Sequence, residues 1–188
     1  MKIFSTFDTN LKQKRLEFYQ KKYGENNVHM IQLSKIFFLI KILLPIIQWL
    51  LFTTFITVTL YYLLKNDIAI WAGIIAWSVF SMIFYLSSIK HYIDMKMDYC
   101  IVTPEEVILT EQEWILNRTV RTLDANKVKS IYINKKNLLY SIFDNGTIVF
   151  MSDGDEQFGE ITFEFIYNPE YQKDIIQNII SLDRKWKE

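Results

Sequence analysis

His29, His91 and Cys100 are the residues best suited to metal binding or nucleophilic chemistry, and each stands apart from the others along the chain. A zinc site needs several His or Cys ligands at short intervals, and a reactive thiol needs a basic neighbourhood to hold it as thiolate. Cys100 instead lies in the apolar run Tyr99-Cys100-Ile101-Val102 and reads as a buried core thiol; a lone cysteine also excludes an intrachain disulfide. Asp153-Gly154-Asp155-Glu156, with Glu160 beyond, has the acidity of a calcium loop without its ligand spacing, and reads as a solvated hairpin tip. No glycine-rich phosphate loop and no nucleophile elbow occurs in the sequence. The expectation is a protein that is not an enzyme, with no catalytic residue, cofactor, metal or small-molecule substrate. Asn117-Arg118-Thr119 and Asn145-Gly146-Thr147 match the glycosylation sequon, which a cytoplasmic location would leave idle.

Charge is the next source of chemistry. The 188 residues carry 21 Lys+Arg and 21 Asp+Glu, but the balance is uneven. Met1 to Lys41 holds eight basic residues against three acids, or +5, while Tyr99 to Glu188 holds ten against fifteen, or −5. An acidic C-terminal part disfavours nucleic acid as a partner. Lys12, Lys14, Arg15, Lys21 and Lys22 fall in Asn10 to Tyr23, a short helix pattern with a narrow apolar stripe and Gly24 as its stop. These five residues are candidate contacts to an anionic lipid surface, each contributing about 1 kcal/mol. The opposite charges equally permit the tail to dock on the C-terminal part. Lys127, Lys129, Lys135 and Lys136 are a second candidate basic strip, although a solvated charged face is the commoner cause of such a run.

What must position these groups is dominated by two uncharged stretches, Ile42 to Leu64 and Ile68 to Ile89, each long enough as a helix to cross roughly 30 Å of hydrocarbon. Only Lys65, Asn66 and Asp67 separate them, so the helices form an antiparallel hairpin and both flanks share one side. Thr53, Thr54, Thr57, Thr59, Ser78 and Ser81 can bond back to the helix backbone. The basic excess before the first run and Lys90 and Lys96 after the second place the flanks in the cytoplasm of a plasma (inner) membrane protein. Tyr61, Tyr62 and Trp71 on one side and Tyr85 and Tyr92 on the other suit interfacial belts. Pro45 falls early in the first run, where an interfacial helix over Leu33 to Leu44 can bend into the membrane. No Asp, Glu, Lys, Arg or His lies inside either run, which argues against an ion pathway. Ala69, Ala72, Gly73 and Ala76 are the candidate helix-packing contact, within the hairpin or between copies of it.

After Asp98 the apolar period shortens to that of strands: Tyr99 to Thr103, Glu106 to Thr110, Glu113 to Arg118, Val120 to Leu123, Lys127 to Ile133, Thr147 to Ser152 and Glu160 to Ile166. Asp144-Asn145-Gly146 signals a hairpin turn, and Ile161, Phe163 and Phe165 alternate onto one face. A helix then starts at Asn168-Pro169-Glu170, with Tyr171, Ile175, Ile179, Leu182 and Trp186 as its apolar stripe. Such short strands argue for a small barrel or sandwich closed by that helix.

The segments Tyr99 to Thr103, Val107 to Leu109, Val128 to Ile131, Asn137 to Ile148 and Asn168-Pro169-Glu170, after a two-span hairpin, resemble the bacterial pleckstrin-homology-like domain of YdbS-like membrane proteins. Glu111-Gln112-Glu113-Trp114 stands where that family often has Gly and Arg. The resemblance implies a two-helix transmembrane hairpin followed by an α+β pleckstrin-homology-like domain: a small antiparallel β-barrel or sandwich capped by a C-terminal helix. The expected boundaries are a basic tail over 1–35, the hairpin over 36–92 and the domain over 98–188. Many pleckstrin-homology domains hold inositol phosphates with basic residues in their first strand-to-strand loop; Thr103-Pro104-Glu105-Glu106, in the corresponding place, is acidic and would repel them. The expected function is a non-enzymatic, membrane-anchored interaction module that presents its domain to a protein partner or the adjacent bilayer. The alternative is a structural or pore-forming homo-oligomer built through the hairpins.

Overall fold

A computed structural model describes residues 11–63, 67–114, 117–135, 138–152 and 160–186. The chain divides into two compact units, Met1–Ile36 with Asp94–Glu188, and Phe37–Ile93. The acidic tip at 153–156, Lys136 and the turn at 65–66 lie outside the described residues.

The first unit is built on two antiparallel sheets. β1 (His29–Gln32), β2 (Tyr99–Val102), β3 (Glu106–Trp114) and β4 (Asn117–Asp124) form one; β5 (Val128–Asn134), β6 (Asn145–Ser152) and β7 (Glu160–Tyr167) form the other. With α6 (Pro169–Trp186) the result is the α+β arrangement of sheets and closing helix expected from the sequence. The strand that opens it comes from an unexpected place. β1 belongs to the stretch read as a tail, and it pairs with β2 so that Gln32 faces Tyr99 and His29 faces Val102. The chain therefore leaves the sheet at Gln32 and re-enters beside it at Tyr99, with everything between 33 and 98 inserted in that first connection. Thr103-Pro104-Glu105 consequently joins the second and third strands, and the first strand-to-strand loop is the hairpin itself.

β2 is buried on both faces. Cys100 and Val102 point into the core with Ile31, Leu109, Ile148, Phe150, Phe163 and Ile176, whereas Tyr99 and Ile101 pack outward beneath Leu16, Tyr19 and Tyr23. Those three belong to α1 (Leu11–Tyr23), which ends at Gly24 with φ 88°, a left-handed value that glycine adopts without penalty. β3 and β4 form one long hairpin, Trp114 opposite Asn117, in place of the breaks expected at Glu111-Gln112 and after Arg118.

Two local readings change in the second sheet. Asp144-Asn145-Gly146 closes a short helix, α5 (Leu138–Ile142), and leads straight into β6: Asp144 takes the left-handed φ of 49° and Asn145 already pairs with Tyr167. Asn145 is fully buried, which removes it as a glycosylation acceptor. In β7, the register skips between Gly146–Ile166 and Ile148–Phe163, so the alternation breaks at Glu164-Phe165. Ile161, Phe163 and Ile166 enter the core, and Phe165, at φ 56°, packs edge-on against Tyr140. The bulge frees the Phe165 carbonyl to accept from the Ser34 amide at 2.8 Å, stitching the segment after β1 to the second sheet.

α6 begins as expected: the Asn168 side chain accepts from the Tyr171 amide at 3.2 Å and Pro169 holds the first position, where its missing donor costs nothing. Its buried face is Ile176, Ile179 and Ile180, with Ile175 half-buried and Tyr171 59% exposed. The stripe is thus rotated from the expected one; Leu182 and Trp186 have side chains outside the described residues. Gly146 lies under the start of this helix, where an added Cβ would stand 2.9 Å from Pro169 Cγ and 3.3 Å from Lys135 Cγ. Gly146→Ala should cost about 1–3 kcal/mol by overpacking, seen as a lower urea midpoint for the full chain in mild detergent.

The second unit holds most of the two apolar helices. α2 (Lys35–Phe38) begins before it and runs through a π turn (Leu39–Leu43) into α3 (Leu44–Leu63); α4 (Asp67–Met97) follows and extends beyond it. The π turn precedes Pro45, which has no N–H to return to the Lys41 carbonyl; the widened turn accommodates that gap in one continuous helix. Trp49 stacks on Phe84 at 5.1 Å and on Phe80 at 6.5 Å. The hydroxyls of Thr53, Thr54, Thr57, Thr59 and Ser78 all donate to carbonyls one turn back, as an apolar setting demands.

Candidate functional site

The surface that gathers most of the candidate residues is the outer face of the first sheet, where α1 lies across β2, β3 and β4. α1 lies there because Tyr99, Ile101 and Ile108 form an apolar strip on the outer face that Leu16 and Tyr19 can cover. Its basic residues are then placed by the helical period. Lys12 stands with its ammonium 5.9 Å from the Tyr99 ring centre, and Arg15 donates to the Tyr99 hydroxyl at 3.5 Å. Seven residues beyond Arg15, Lys22 reaches the Glu105 carboxylate at 3.2 Å and also the Tyr23 hydroxyl, which donates to the same carboxylate. Tyr19 is hydrogen-bonded to Glu106. The acidic Thr103–Glu106 connection is therefore the receptor for the basic helix. It is braced by Thr103, whose hydroxyl accepts from the Glu106 amide at 2.9 Å and donates to its carbonyl at 2.8 Å.

Of the five residues expected to face lipid, Lys12, Arg15 and Lys22 are engaged with the domain, and Lys14 and Lys21 are exposed on the helix. Between α1 and the sheet a groove of about 500 Å³ stays open, walled by Leu11, Lys14, Arg15 and Phe18 on one side and Ile108 and Val120 on the other.

At one end of this surface, where the chain re-enters from the hairpin, Asp98 lies largely buried and its Oδ1 accepts from the Gln112 amide at 2.7 Å. Burial pushes its carboxyl up to about 7, aided by Asp94 and Glu111 and opposed by the Gln112 hydrogen bond and Arg118. Burial also lowers the Lys12 ammonium, with Lys96 adding to the effect and Asp98 countering it. At the other end, hydrogen bonds to Tyr23 and Glu105 hold Lys22 protonated up to about 12. Burial and then the Glu105 hydrogen bond raise Tyr23.

The remaining candidates are spent elsewhere. Lys135 bridges Asp144 at 3.0 Å and Glu170 at 2.8 Å, so the second basic strip loses a member to an ion pair that fastens α6; Lys127 and Lys129 are exposed. Cys100 is wholly buried, its thiol raised to about 12 by that burial. His29 shares a 2.6 Å hydrogen bond with Gln172 of α6, and His91 meets the Phe37 ring edge-on. Among the described residues no cluster of three His, Cys, Asp or Glu is placed to hold a metal. Within the second unit Gly73 meets Leu60 Cδ1, which an added Cβ would approach to 3.5 Å, and Ala76 is exposed. The side chains of Ala69 and Ala72 lie outside the described residues. Sequence reasoning missed Tyr99, Asp98 and the role of Glu105 and Glu106; the opposite charges of the two segments were the one signal that pointed to them.

The fold and this surface define an α+β domain of two antiparallel sheets with a closing helix. A crystal structure of a DUF1696 family protein with a pleckstrin-homology domain, from Shewanella loihica PV-4, is similar to this chain with a TM-score of 0.35 and 11% identity, covering 44% of this chain and 70% of that one. At that degree of likeness no family follows from the match. No family model matches the sequence, and no curated protein matches it.

Proposed function

We propose that this protein is a membrane-anchored, non-enzymatic interaction module: a pleckstrin-homology-like domain held at a bilayer by a two-helix hairpin inserted in its first strand-to-strand connection. The observation that carries the proposal is the pairing of β1 with β2 across that insertion. Strands in one sheet lie on one side of a membrane, so both flanks of the hairpin share a face whatever its depth. The helices support the anchor by their surface. Leu51, Phe55, Trp71, Ile75, Phe80 and Met82 are each at least 64% exposed, far more apolar surface than a water-soluble monomer carries. The basic excess around the hairpin favours the cytoplasm for both flanks. Three titratable groups of the domain, Cys100 in the core, His29 on Gln172 and Lys135 between two carboxylates, serve structure, in keeping with a binding role. The partner surface proposed is the α1 face, toward protein or the adjacent bilayer.

The test is made on the full chain in a bacterial membrane. It should stay with the membrane through an alkaline carbonate wash, and tags beyond Met1 and Glu188 should both resist external protease in spheroplasts and both be cut in inside-out vesicles. Release by carbonate would overturn the anchor; tags on opposite sides would overturn the shared face.

A further inference from the structure

We propose that the groove between α1 and the β3–β4 face binds one anionic phospholipid, with its phosphate at Lys14 and Arg15 and part of an acyl chain along Phe18 and Val120. This rests on the membrane-anchored reading only for the source of the lipid. The groove, of about 500 Å³, is shallow and open to solvent and divides by chemistry. Two cations stand together on the α1 wall, and the Arg15 guanidinium, positioned by the Tyr99 hydroxyl, has further N–H donors for a phosphate. Beside them on α1 Phe18 is 63% exposed, and across the groove Val120 is 44% exposed with Thr122 next to it on the lining, so the rest of the groove is mostly apolar.

The carboxylates set the orientation. Glu106 is bound to Tyr19, at the side of the groove away from Lys14, so an anion is favoured at the Lys14 end and disfavoured at the Tyr19 end. The favoured end is also that of Lys12, which responds to Asp98 and Lys96 where the chain returns from the hairpin.

The experiment uses the purified full chain in mild detergent with fluorescently tagged phosphatidylglycerol as probe. Binding should saturate and be displaced by unlabelled phosphatidylglycerol, with at least tenfold weaker displacement by phosphatidylcholine and by glycerol 3-phosphate. Val120→Trp, which fills the groove, should weaken binding at least tenfold, and Lys14→Glu should remove the preference over phosphatidylcholine. Phe18→Ser, on the exposed helix face, repeats the groove test should Val120→Trp lower the melting temperature. Equal displacement by phosphatidylcholine would overturn headgroup recognition, equal displacement by glycerol 3-phosphate would reduce the site to a free-anion site, and wild-type binding in both groove variants would overturn the groove. Because the assay needs no bilayer, a chain released by carbonate that still binds the probe loses the anchor and keeps the groove.

Discussion

Ile31→Asp should unfold the sheet domain, although its nearest partners in the chain lie beyond the whole hairpin. Ile31 is 3% exposed, faces Cys100 across the β1–β2 ladder and packs into the main core. A carboxylate there has no ion partner, and burying it costs about 4 kcal/mol or more, a large part of the stability of a domain this size. Gln32→Glu, at an exposed position in the same strand, should change stability by less than about 0.5 kcal/mol. Hydrogen exchange of the β2 amides in the full chain is the direct readout, because loss of β1 removes their outer ladder. Protection of Tyr99–Val102 unchanged by Ile31→Asp would show that the N-terminal strand is dispensable.

The second large effect concerns pH. Asp98 ionises at about 7 in the folded domain because burial disfavours its charge, against 3.8 for the ordinary side chain. The folded state then holds a proton that the unfolded state has released, so this group makes the domain progressively less stable as pH rises from about 4 to about 7. The full span corresponds to about 4 kcal/mol, at one pKa unit per 1.36 kcal/mol. Asp98→Asn keeps an oxygen to accept from the Gln112 amide and cannot ionise. It should therefore raise the unfolding midpoint at pH 8, leave it nearly unchanged at pH 4, and flatten the profile between. Arg118, Asp94, Glu111 and Lys12 all act on this carboxyl. A variant as pH-dependent as the wild type would assign the slope to one of those neighbours.

How much of this was legible depends on how each residue is covered. β7 as far as Phe163 and the start of α6 carry period-two and capping patterns that survive in the structure, because one face of each is wet. β1 does not: Ile31 enters the core while Val28 and Met30 pack with Tyr99 and Ile101 beneath α1, so its apolar residues fall on both faces and no alternation marks it. The same double burial makes β2 uniformly apolar, yet there the neighbouring Asp98 and Thr103-Pro104 delimit the strand. In α6 the adjacent pairs Ile175-Ile176 and Ile179-Ile180 fit two stripes equally well, and the contact with β5 and β6 selects one. The bulge at Glu164-Phe165 has no local marker, since an aromatic residue at φ 56° is held there by the Ser34 amide and the Tyr140 ring. In the candidate site the cations were visible as charges, but their receptor was not, because Glu105 and Tyr99 become neighbours of Lys22 and Arg15 only through β1.

The insertion of the hairpin between β1 and β2 also sets an order of events during synthesis. β1 is made first and waits for β2 while the helices are translated, several seconds at about 5–20 residues per second. Throughout that interval the sheet lacks its second strand, and Ile31 has no core to enter. With the hairpin in a bilayer, β2 reaches β1 only if both helices have crossed and returned. A chain stalled after one crossing leaves the two strands on opposite sides, with unpaired edges and a bare apolar face that proteases and chaperones recognise. On the membrane-anchored reading, completion of the first sheet therefore depends on correct insertion, and a misinserted copy cannot fold this domain.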